Sequence, residues 1–186
     1  MDRIDRFLLL NKKLTKAFLV GLALFVAQKI VFIIRFGNIE TFKNHINDLP
    51  LMIFNGFRFD LQVLTYIFSL FLLLNIISLF INSEKGNHFI NKISVQLIPV
   101  FLALALLIQI ADQQFYSFFK LHFNTVAFDF LDEGPKLLLK SIWIEHPVIK
   151  IFIIIIITYF ILRFLIRKIY RDNNLLMHKL HWSLKS

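Results

Sequence analysis

The sequence predicts an all-α membrane protein: four transmembrane helices, with interfacial amphipathic helices in the outer connections. Three observations predict it. Hydrophobic residues fill 58% of the 186 positions, 23 of them phenylalanine, whereas globular domains average about 45–50% apolar residues. Four apolar runs each approach the roughly 20 helical residues that span a bilayer. The basic residues, which bring the formal charge to +9, flank those runs in an alternating order.

Residues 1–16 form a basic segment, with Arg3, Arg6, Lys12, Lys13 and Lys16 against Asp2 and Asp5. The four-span domain follows over 17–166, with spans at about 17–34, 61–81, 93–110 and 148–166. The first run is too long for a cleaved leader and no small-residue cleavage site follows, so it reads as an uncleaved anchor. The second opens at "NGFRFDL" and the third carries Pro99, a candidate kink. The fourth, "IFIIIIITYFILRFLI", is β-branched enough to suggest a strand. Its length decides for a helix, because strands rarely exceed about 10 residues.

Charge sets the expected orientation. Acidic and basic residues balance over 35–60, basic residues lead in the turn 82–92, and acidic residues lead over 111–147. The tail 167–186 is basic again, through Arg167, Lys168, Arg171, Lys179 and Lys185 against Asp172. Both termini and the 82–92 turn are therefore expected in the cytoplasm, and the setting is a bacterial cytoplasmic (inner) membrane crossed several times. Lys29, Lys150 and Arg163 stand near span ends, where long cationic side chains reach the headgroups. A nucleic-acid partner needs its cations on one water-facing patch; here they border hydrocarbon, which excludes that class.

The outer connections are more than turns. From Ala111 onward, Phe115, Phe118, Phe119, His122, Phe123 and Val126 recur at three- and four-residue steps, with Gln113, Ser117, Lys120 and Asn124 opposite. That pattern predicts a helix lying in the headgroup layer. Gly134-Pro135 breaks it, and a second interfacial segment runs to His146-Pro147, with Trp143 in the aromatic belt. The same spacing can equally serve only to cover span ends.

No chemistry-bearing motif is found. There is no Gly-rich phosphate loop, nucleophile elbow or HExxH, and there is no cysteine for a disulfide, thiol or thiolate site. His178 and His181 share a spacing but lack a third ligand, and Asp132-Glu133 adjoins a turn. No catalytic residue, metal site or cofactor is assigned to this chain.

Two stretches are more specific. "GFRFDL" at Gly56–Leu61 and "ADQQFYSFFKLHFNTVAFDFL" at Ala111–Leu131 resemble the membrane region of the lipoteichoic acid synthase and phosphoglycerol transferase family, which has phosphoethanolamine transferases among its relatives. Gly56, Arg58, Phe59, Asp60 and Leu61 match a G-x-R-F-D-L motif opening the second span. Asp112, Phe115, Tyr116, Phe119 and Asn124 match an aspartate, aromatic pair and interfacial segment after the third. His122 departs, standing where many relatives carry arginine. The resemblance implies five membrane helices followed by an extracytoplasmic domain of the alkaline-phosphatase and sulfatase superfamily, where a divalent metal activates a threonine. The chain ends where the fifth span is expected, so the expectation is an anchoring portion without that domain, not catalytic by itself. A trimmed protein, an interrupted gene and a short protein that kept only the anchor all fit. The alternative is a small four-span accessory or transport-associated protein, although the halves do not repeat as in many transporters.

Lys29, Arg35, Arg58, Asp60, Asp112 and His122 all fall at the outer leaflet. A buried Asp60 or Asp112 needs a cation, for which Lys29, Arg35 and Arg58 are candidates, and an arginine left over suits a lipid phosphate. Two readings stay open: an interhelical clasp, or a headgroup site. Expected partners are membrane lipids, anionic phospholipid headgroups among them, and a second copy of the chain.

Overall fold

A computed structural model describes residues 3–37, 46–80, 84–119, 143 and 148–183, the last helix with side chains to Arg171. Four helices follow one another: α1 (Arg3–Phe36), α2 (Leu49–Phe80), α3 (Glu84–Phe119) and α4 (Val148–Ser183). All four are long and apolar enough to cross a membrane, and no strand occurs among the described residues. The protein is a multi-pass membrane bundle.

Each helix outruns its predicted span. α1 starts at Arg3 rather than near 17, taking the basic N-terminal segment into its first turns. α2 starts at Leu49, with Asp48 at the cap position, where its carbonyl accepts the Met52 N–H at 3.0 Å. Pro50 is tolerated there because first-turn N–H groups have no helical acceptor. At the other end of α1, Gly37 donates its N–H to the Ile33 carbonyl at 2.7 Å. Residues 111–119, expected to begin a separate surface helix, instead continue α3; the rest of that segment lies outside the described residues. Trp143 is exposed.

Contacts across the bundle fix its directions. Phe18 packs on Phe68 with ring centroids 5.4 Å apart, and Asn75 bonds Asn11, so α1 and α2 run antiparallel. Phe32 and Phe36 meet Tyr116, so α3 runs parallel to α1. Lys13 meets Tyr170, so α4 runs back. One end of the bundle, the terminal end, therefore holds the start of α1 and the end of α4; at the other, the connection end, α1 and α3 finish and α2 and α4 begin. α1 packs most extensively on α2, and α3 on α4, with α3 bridging the pairs.

Buried positions step by three or four residues. Leu10, Leu14, Ala17, Gly21 and Phe25 line one face of α1, and Asp60, Leu64, Phe68, Phe71, Asn75 and Ser78 one face of α2. Such stripes are what two helices crossing at a shallow angle bury. Gly21 marks a close approach: a Cβ there would stand 3.0 Å from methyl carbons of both Leu102 and Leu64. Small residues permit this approach in lipid, where association depends on shape more than on water exclusion. Outward, Phe152, Ile153, Ile156, Phe160 and Phe164 of α4 are exposed, the surface expected for a helix facing hydrocarbon.

Candidate functional site

The helix register brings two of the predicted residues together at the connection end. Lys29 Nζ of α1 lies 2.6 Å from Asp60 Oδ2 of α2. The aspartate side chain is 10% exposed and the lysine side chain 39%, so the pair sits at the edge of the bundle, with its anion inside. Of the three candidate cations, Lys29 is the one that neutralises Asp60. Its advantage is geometric, because it extends sideways from a neighbouring helix, whereas Arg58 is on the same helix two positions away and points elsewhere.

Gly56 belongs to this arrangement. It precedes Asp60 by one helical turn on the same face, and a Cβ at that position would stand 3.0 Å from Lys29 Nζ and 3.4 Å from Cε. Glycine thus clears a slot through which the lysine reaches the carboxylate. A motif that reads as a string of unrelated residues becomes two linked positions for one ion pair, with Arg58 between them.

Arg58 is exposed, its guanidinium 5.5 Å from the Phe59 ring centroid, and Arg35 is exposed over Phe36 at 5.1 Å. Among the described residues no carboxylate lies within ion-pair distance of either arginine. Asp112 is half-buried on α3 at the same end. His122 lies outside the described residues. At the same end Phe32, Phe36 and Tyr116 pack together, with ring centroids 5.1–5.4 Å apart.

Gln113, expected on the polar back of a surface helix, is instead buried. Its amide Nε2 donates to the Gln28 carbonyl of α1 at 3.5 Å. Because α3 continues through this segment, the "polar back" turns toward α1, and the amide ties the helices where the Lys29 pair ties α1 to α2. Among the described residues no cluster of three or more His, Asp or Glu side chains has metal-ligand spacing.

A second polar group, at the terminal end, was not anticipated. Lys13, counted above as an inside-facing topology charge, is 2% exposed. Its ammonium lies 5.6 Å from the centroid of the Tyr170 ring. Asn75 Nδ2 donates to Asn11 Oδ1 at 3.1 Å, and the Ser78 hydroxyl donates to the Asn75 carbonyl. The signal was present in spacing: Lys13 lies on the stripe of Leu10, Leu14 and Ala17, and Asn75 on that of Phe68 and Phe71.

Comparison with protein-family models, with curated proteins and with solved structures gives no match.

Proposed function

We propose that this bundle is the membrane-anchoring portion of a phosphoglycerol- or phosphoethanolamine-type headgroup transferase acting on a cell-envelope glycolipid or glycan. It sits in a bacterial cytoplasmic membrane with both termini in the cytoplasm. In this reading its connection end presents an anionic lipid headgroup to chemistry carried out by a sulfatase-type domain, and these helices alone transfer nothing. The observation that supports it is the division of labour in Gly56–Asp60. Lys29 occupies Asp60 through the slot at Gly56, which leaves Arg58 exposed at the same end. An exposed guanidinium at headgroup level binds a phosphate bidentately, and Arg35 at the end of α1 adds a second cation.

Clasp and headgroup site are then separate parts of one arrangement: Lys29 and Asp60 hold α1 to α2, and Arg58 faces the lipid. The test is Arg58→Gln in the full chain, reconstituted in nanodiscs of phosphatidylglycerol and phosphatidylcholine. Native mass spectrometry counts retained phosphatidylglycerol, and circular dichroism checks folding. The reading expects a folded variant that retains less phosphatidylglycerol. Unchanged retention would remove Arg58 from headgroup binding. Release of labelled glycerol phosphate from phosphatidylglycerol by the chain alone would overturn the anchoring role.

A further inference from the structure

The four helices each contribute a polar side chain to one layer at the terminal end. Lys13 comes from α1, Asn75 from α2, Ser94 from α3 and Tyr170 from α4, and each is at least nine-tenths buried. A buried ammonium needs a counter-charge. Among the described residues no carboxylate lies within ion-pair distance of Lys13, and its partner is the Tyr170 ring. A ring face offsets only part of the desolvation that an anion would offset.

The hydroxyl of Ser94 points the same way. It is 1% exposed and lies beside the Tyr170 phenol, but no aligned hydrogen bond forms, so its Oγ keeps unused capacity. Among the described residues, the layer therefore combines a buried lysine that faces no carboxylate with a buried hydroxyl that has no hydrogen-bond partner. Outside it, Lys12, Lys16, Arg167, Lys168 and Arg171 are exposed. Their summed field draws anions and repels cations.

We propose that this layer is a phosphate-binding site, with Lys13 as its cation and the Ser94 and Tyr170 hydroxyls as donors. An ammonium and two hydroxyls are all donors, which suits the acceptor oxygens of a phosphate, and a charge-assisted hydrogen bond outranks a cation–π contact. Lys13 turns from the Tyr170 ring onto the phosphate as it enters from the surrounding basic rim. The site is independent of Arg58, which lies at the opposite end of the bundle.

The test uses the full chain in micelles, with phosphatidylglycerol, phosphatidylcholine and inorganic phosphate as separate probes. Lipid occupancy is read by native mass spectrometry. Lys13→Met keeps the stem and removes the charge; the expected result is about a tenfold loss of phosphatidylglycerol affinity, with Lys13→Arg retaining most of it. Ser94→Ala should lose several-fold. Competition by inorganic phosphate assigns the site to the free anion, and its absence together with lipid retention assigns it to a headgroup. Equal phosphatidylglycerol and phosphate binding by wild type and Lys13→Met overturns the proposal. If Lys13→Met does not fold, Ser94→Ala and Tyr170→Phe decide it, and unchanged binding in both overturns it.

Discussion

Lys29→Met leaves the Asp60 carboxylate in place with its cation gone, and the structure sets the size of the effect. Removing one partner of a buried ion pair costs about 3–5 kcal/mol, because the remaining charge stays desolvated. Here the aspartate side chain is 10% exposed while the lysine side chain is 39% exposed, so interfacial water partly reaches the pair. The expected loss is therefore about 2–3 kcal/mol, below the fully buried range. Asp60→Asn should cost less, about 1 kcal/mol, because the orphaned ammonium is the more exposed partner and can extend to the headgroups. The double variant Lys29→Met/Asp60→Asn should recover most of the loss, since it buries no charge. Denaturant titration in micelles, followed by circular dichroism, gives the three values and a coupling energy. Equal damage from the two single variants, or a Lys29→Met variant as stable as wild type, would refute the assignment of Asp60 as the enclosed charge.

Gly21→Leu places a branched side chain where even a Cβ would stand 3.0 Å from the methyl carbons of Leu64 and Leu102; the expected overpacking cost is about 1–3 kcal/mol in the same titration. Gly21→Ala should lie near neutral, because two leucine methyls can yield by a few tenths of an ångström and alanine is the better helix former. Asn75→Leu removes the bond to Asn11 and should cost about 0.6 kcal/mol, the average for such contacts in membrane bundles. The chain has no cysteine, so single cysteines introduced at Lys12 and at Asp48 report sidedness directly. An impermeant maleimide should label one from each side of sealed vesicles.

The four helices were legible because hydrocarbon imposes a length and an apolar composition that little else requires. The rim was legible in part. Asp60 was read as an anion needing a cation, but three cations competed, and the choice of Lys29 depends on the α1–α2 register and on the slot at Gly56. Neither is visible until two helices are placed side by side. Lys13 shows the opposite limit, because its burial was hidden in a charge count. Charge counting treats every lysine near a span end as a topology marker, and this one shares a helical stripe with Leu10, Leu14 and Ala17. Gln113 shows the same limit: its place on a "polar back" assumed a separate surface helix, and the continuity of α3 turned it inward.

α1 carries both engaged lysines, the buried Lys13 toward Tyr170 and the partly exposed Lys29 toward Asp60. They are sixteen residues apart, about 24 Å along a helix rising 1.5 Å per residue. The interval works as a fixed phase as well as a fixed length. Inserting a single alanine between them would lengthen the helix by about 1.5 Å but rotate one lysine by about 100° relative to the other. Hydrophobicity would scarcely change, yet only one of the two ends could stay engaged. Any insertion between the two lysines must therefore bring close to whole turns, or be matched by a shifted partner for one of them.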